Sequence, residues 1–128
     1  MNITLYGTGY VGLVTGACFA KLGHNVVCID INAEKIADLN SGKIPIFEPE
    51  LEEIVLQNKQ MGKLIFSTDY KLGVSHGILQ FITVNTPTGE NGNADISYIM
   101  ECVQKIAKEM ESYKLIVNKS TAPPGTVA

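Results

Sequence analysis

Short apolar runs rich in β-branched residues alternate with segments of helical period along the whole chain, and this alternation most restricts how it can fold. The strand-like runs are "NITLY", "HNVVCID", "KLIFST", "ILQFITV" and "KLIVNKS". They are apolar almost throughout, as strands buried on both faces of a parallel sheet are. Between the first two, a helical stretch spans 11–22 and Gly23 occupies its C-cap position. After the second, Asn32 can cap a helix over "AEKIADLNSG", with Ile36 and Leu39 on one face and Gly42 ending it. In "KIPIFEPELEEIVLQNKQMG", Pro49 suits a first helical position, Glu50, Glu52 and Glu53 favour an N-terminal turn, and Gly62 marks the end. "YKLGVSHG" reads as a weak short helix or a loop. "ISYIMECVQKIAKEMES" is the clearest helix, with Ile96, Ile99, Met100, Val103, Ile106, Ala107 and Met110 at helical spacing.

The alternation predicts an α/β fold, a doubly wound parallel sheet of Rossmann type with strand order 3-2-1-4-5. A length of 128 residues suits one domain, and no repeat or linker interrupts it. No apolar stretch reaches the length of a membrane span, and the N-terminus lacks the basic region of a signal peptide. The two N-x-[ST] matches, at Asn2 and Asn118, are therefore read as chance. Cys18, Cys28 and Cys102 have neither even number nor metal-site spacing and read as reduced core or near-core thiols of a cytoplasmic protein. All ten basic residues are lysine. Without arginine or a basic run, a nucleic-acid partner is not expected. Any phosphate would have to be held by backbone N–H groups, a helix N-terminus or lysine.

The first strand runs straight into "GTGYVG", which opens the first helix, and the second strand ends on Asp30, 18 residues after Gly12. In that setting Gly7 permits a tight turn, Gly9 lets a pyrophosphate approach the backbone, and Gly12 allows close helix–strand packing. A carboxylate at Asp30 can accept both ribose hydroxyl protons and would repel a 2′-phosphate, so the expected cofactor is NAD rather than NADP. Lys35 can reach the adenosine ribose, or it is a solvated surface lysine. Ligands of open α/β sheets bind beyond the carboxyl ends of the strands. There "VNTPTGENGNAD" and "NKSTAPPGT" bring Thr86, Thr88, Ser120 and Thr121 beside prolines and glycines. Ordinary turn chemistry is the other reading of these loops.

Together, "GTGYVGLVTGACFAKLGHNVVCIDINAEKI", "PIFEPELEEIV", "VNTPTGENGNADISYI" and "NKSTAPPGTV" resemble the N-terminal, NAD-binding part of the UDP-glucose/GDP-mannose dehydrogenase family. "KST" and the "ADISYI" helix start look more like its UDP-glucose members. The resemblance implies that UDP-glucose is oxidised to UDP-glucuronate with two NAD⁺. UDP-N-acetylmannosamine, GDP-mannose and a non-catalytic NAD-sensing module are the alternatives. It implies that the pyrophosphate lies on Gly7, Gly9, Tyr10, Val11 and Gly12, and that Asp30 and Lys35 hold the adenosine ribose. Thr86, Ser120 and Thr121 would line the remaining cleft, with Thr121 also ordering a catalytic water. The chain departs from the family pattern at Glu50, Gln80, Asn85 and Ala122.

In the family, the catalytic cysteine and the sugar-binding half belong to a later segment, and no cysteine here matches that motif. The expectation is a dinucleotide-binding unit over 1–128, cut off after the fifth strand. It should be inactive alone and prone to self-association along an uncovered fifth strand. It should be homo-oligomeric in full-length enzymes, and no metal is implied.

Overall fold

The computed structural model describes residues 1–45, 49–84, 97–111 and 114–118. The elements run β1 (Asn2–Tyr6), α1 (Tyr10–Lys21), β2 (Asn25–Ile29), α2 (Ala33–Asn40), α3 (Pro49–Gln60), β3 (Leu64–Ser67), α4 (Tyr70–His76), β4 (Leu79–Ile82), α5 (Ser97–Glu109) and β5 (Leu115–Asn118). All four pairings are parallel and the order is β3-β2-β1-β4-β5, the expected doubly wound arrangement. The β4 segment ends at Ile82, short of the apolar run "ILQFITV", and Thr83 just beyond it still donates its N–H to the Tyr6 carbonyl of β1. "YKLGVSHG" is helical, its first turn secured by Asp69, whose carboxylate accepts from the Lys71 N–H at 3.0 Å.

The period of two along each strand divides the core between the faces of the sheet. Ile3, Leu5, Val26, Cys28, Leu64 and Phe66 face α1 and α3, where Leu13, Ala17, Leu51 and Val55 pack onto them. Tyr6, Val27, Ile29 and Ile82 face α4 and α5, meeting Val74, Ile99, Cys102 and Ile106. Asn32 caps α2 as its side chain allows, accepting from the Lys35 N–H at 3.0 Å, and Ile36 and Leu39 are buried. In α5 the buried stripe is narrower than the periodic set, since Met100 and Ala107 are exposed. They lie one position beyond Ile99 and Ile106, a rotation of about 100° on a helix, which turns them off the sheet. Cys18 is likewise exposed rather than near-core, because α1 seats Gly16, Ala17 and Ala20 on the sheet instead. Cys28 and Cys102 are buried as expected. On the edge strand β5, Leu115 and Ile116 are 47% and 37% exposed, whereas the apolar residues of β1 are closed off.

Candidate functional site

A parallel sheet delivers the carboxyl ends of its strands to one edge, so the residues following β1, β2 and β4 converge. Residues 7–9, 30–32 and 83–84 surround a cavity of about 460 Å³. Lys35 of α2, Tyr70 of α4 and Glu101 and Cys102 of α5 complete its walls.

The floor is the turn from β1 into α1. Gly7 has φ +105°, a conformation in which a Cβ would lie 2.7 Å from the Thr83 carbonyl oxygen. A Cβ on Gly12 would lie 2.0 Å from the Gly7 carbonyl oxygen, so helix and turn are in backbone contact. Thr83 pins this turn from β4. Its N–H and hydroxyl donate to the Tyr6 carbonyl at 2.8 and 2.9 Å, and the hydroxyl also reaches the Gly7 carbonyl at 3.1 Å.

The mouth of α1 is electropositive. Gly9 is its N-cap and has no side chain to offer, and no acid lies in the first turn. Leu13 is the residue whose N–H reaches back to the Gly9 carbonyl, at 2.9 Å. The N–H groups of Tyr10, Val11 and Gly12 thus have no partner inside the helix, and the helix dipole adds partial positive charge. An anion can take those bonds. The side chains of Tyr10 and Val11 point into solvent, 61% and 49% exposed, so only their backbone can serve.

Across the cavity, the Asp30 carboxylate is held firmly. Its Oδ2 accepts from the Thr8 N–H at 2.9 Å and the Thr8 hydroxyl at 2.7 Å, and Oδ1 accepts from the Asn32 N–H at 3.0 Å. Counting two acceptor positions per oxygen, Oδ1 keeps one open and Oδ2 is filled. One ribose hydroxyl can bind Oδ1 directly, and a second has to share with, or displace, the Thr8 hydroxyl. Burial raises the pKa of Tyr70, and it pushes the Cys102 thiol up to about 12. Cys102 is therefore a neutral thiol in the cavity wall and no nucleophile.

Of the site residues expected from sequence, Gly7, Gly9, Asp30 and Lys35 line the cavity, and Tyr10, Val11 and Gly12 form the adjoining helix mouth. Thr86, Thr88, Ser120 and Thr121 lie outside the described residues, as do Asn85 and Ala122. Sequence reasoning missed Thr8, Tyr70, Thr83, Glu101 and Cys102. Thr8 sits inside the glycine motif and could have been noticed there. The others come from distant segments and carry no local signature.

The whole chain, residues 1–128, matches the model of the UDP-glucose/GDP-mannose dehydrogenase family, NAD binding domain. The chain belongs to this family. It is 46% identical over 126 residues to the UDP-glucose 6-dehydrogenase YwqF of Bacillus subtilis, a match covering 98% of this chain and 29% of that protein. Among solved structures, a GDP-mannose dehydrogenase from Pseudomonas aeruginosa superposes with a TM-score of 0.92 at 39% identity, covering 99% of this chain and 30% of the other. A UDP-glucose dehydrogenase from Pyrobaculum islandicum gives 0.89 at 35% identity, covering 97% and 29%. The chain thus spans under a third of the length of these relatives. The cofactor of this family domain is NAD. The site suits it: two glycines stand where any side chain would strike backbone, and free helix N–H groups adjoin a cavity that holds a carboxylate with an open acceptor position. Among the described residues no cluster of His, Cys, Asp or Glu could hold a metal, and no helix is long and apolar enough to cross a membrane.

Proposed function

We propose that these residues are the NAD-binding part of a UDP-glucose 6-dehydrogenase, which converts UDP-glucose to UDP-glucuronate with two NAD⁺ in the full-length protein. The observation that carries the cofactor half of this reading is the pairing of the α1 mouth with the Asp30 carboxylate across one cavity. The unpaired N–H groups of Tyr10, Val11 and Gly12 would bind the pyrophosphate, and Asp30 with Lys35 the adenosine ribose. NAD supplies the hydride acceptor. The chain's own residues bind it, orient it and, through the Asp30 charge, disfavour a 2′-phosphate. Thr86, Ser120 and Thr121 would continue the cleft toward the nicotinamide, with Thr121 ordering a water. The sugar half of the reading rests on the 46% identity to UDP-glucose 6-dehydrogenases and on the "KST" and "ADISYI" sequences.

Cysteine chemistry and sugar binding would lie in other segments of a cytoplasmic, homo-oligomeric enzyme, and the 128 residues alone would bind NAD weakly or not at all and turn over no sugar. A second reading keeps the cofactor and changes the sugar. It is favoured by the likeness to the Pseudomonas GDP-mannose dehydrogenase and to a UDP-N-acetylmannosamine dehydrogenase of Pyrococcus horikoshii, at 34% identity and TM-score 0.90.

The test is NADH formation by the intact protein with UDP-glucose, UDP-N-acetylmannosamine or GDP-mannose in turn. Turnover of UDP-glucose with two NADH per sugar is expected. Turnover of either other sugar alone selects the second reading. Calorimetry with NAD⁺, NADP⁺ and S-adenosylmethionine checks the cofactor, and preference for either of the last two refutes both.

A further inference from the structure

Gln80 breaks an otherwise apolar strand, and the structure shows what its amide does. The residue is fully buried on the sheet face beneath α4 and α5. Its Nε2 donates to the Gly77 carbonyl at 2.7 Å and the Gly73 carbonyl at 3.2 Å, at the C-terminal end of α4, and the Gly73 carbonyl also accepts from the Thr4 hydroxyl at 2.6 Å. Its Oε1 accepts from the Tyr6 hydroxyl, which is also fully buried. Among the described residues no buried side-chain polar atom is left without a partner, so the pair is complete as it stands.

Tyr6 carries this network to the cleft in two directions. It is the last residue of β1, directly before Gly7, and its carbonyl is the one Thr83 grips. Its ring stacks on Tyr70 with centroids 5.3 Å apart and planes 25° from parallel. Tyr70 is the first residue of α4 and lines the cavity, and the Lys105 ammonium lies 4.7 Å from its ring centroid. The Tyr70 ring thus has Tyr6 stacked on it and the Lys105 ammonium over it, and it shares the cavity wall with Asp30 and Cys102. Gln80 fixes one end of α4 and Tyr6 the other.

We propose that Tyr6 and Gln80 are positioning residues for the adenosine end of the cleft, acting through Tyr70. The inference rests on the NAD reading above. The probe is ADP-ribose, which carries the adenosine and pyrophosphate without the nicotinamide, titrated into the intact protein below the unfolding range of each variant. Tyr6→Phe and Gln80→Leu should each weaken ADP-ribose binding by about fivefold, the usual size of coupling between touching groups. In a Tyr70→Ala background, Tyr6→Phe should cost nothing further. A purely structural role would lower the melting temperature in both backgrounds and leave affinity unchanged.

The double variant Tyr6→Phe/Gln80→Leu removes both buried polar groups together and serves if either single variant fails to fold. It too should bind ADP-ribose more weakly. The proposal is overturned if folded variants bind within roughly twofold of wild type, or if the Tyr6→Phe loss persists unchanged without Tyr70. If the wild-type protein binds neither ADP-ribose nor NADH, the NAD reading itself falls, and this inference with it.

Discussion

Replacing Gly12 by alanine should separate α1 from the turn that it caps, and the size of the effect follows from the contact geometry. The added Cβ would stand 2.0 Å from the Gly7 carbonyl oxygen and 2.8 Å from the Thr83 hydroxyl. Ordinary contact begins near 3.4 Å, so about 1.4 Å of separation has to be found. The nearer obstacle is backbone, and no rotamer change can relieve it. Because Leu13, Ala17 and Ala20 seat α1 on the sheet, the helix start has to tilt away from well-packed side chains. Overpacking of this kind costs about 2–3 kcal/mol. The same displacement carries the N–H groups of Tyr10 and Val11 beyond hydrogen-bond reach of a pyrophosphate. Losing one charge-assisted bond there corresponds to an affinity loss of about tenfold or more.

The assay is a urea unfolding curve paired with an NADH titration of the intact protein. Gly62→Ala is the control. Gly62 has φ +75° and nothing within 4 Å of the place a methyl would occupy, so the alanine carries backbone strain of about 1 kcal/mol without touching the cleft. It should lose stability and keep affinity. If Gly12→Ala holds both stability and NADH affinity near wild type, the close approach of α1 to the turn does not exist as described.

Other outcomes follow from particular contacts. Asp30→Asn removes the charge facing a 2′-phosphate and sets an amide opposite the Asn32 N–H or the Thr8 donors. NAD⁺ affinity should fall by about tenfold while the gap to NADP⁺ narrows, as parallel calorimetry would show. Thr8→Val keeps the backbone bond to Asp30 and deletes the hydroxyl bond at 2.7 Å, which opens Oδ2. Its effect on NADH affinity should be smaller than that of Asp30→Asn, and the reverse order would show that Thr8 itself is the ligand group. Asn32→Ala removes the α2 cap bond and should cost about 1 kcal/mol in denaturant unfolding. Cys28 and Cys102 have thiols raised from 9.0 to about 12 by burial, so they stay protonated when folded and ionise when unfolded. Stability should therefore fall as pH rises above 9, by about 1.4 kcal/mol per pH unit for each thiol. Unfolding midpoints at pH 8, 9 and 10 follow that fall, and Cys28→Ala should reduce it, while Tyr6 and Tyr70, also raised from 10.0 by burial, add to it from about pH 10.

Much of this protein is governed by rules that act within a few residues. The alternation of apolar runs and helical periods is a local property, and it leads to the parallel sheet, while the strand order followed only from the fold class. Asn32 caps α2 because an Asx side chain reaches the N–H three residues on. Gly7 and Gly12 are required where they stand by a turn only six residues long, and Asp30 follows at the end of the next strand. These features were legible because the groups that interact are also neighbours in the chain. Tertiary packing decided the rest. Thr83 clasps a turn 76 residues away, and Tyr70, Glu101 and Cys102 reach the cavity only because α4 and α5 fold back over the sheet. Gln80 looked like a flaw in a strand until Tyr6 and the end of α4 were brought against it. Cys18 and Met100 show the same limit, since periodicity tells how wide an apolar face can be and only the neighbouring layer determines how much of it is covered. Sequence spacing sets which groups can be adjacent along one element, but contacts between elements depend on how the right-handed crossovers stack, and no local pattern encodes that.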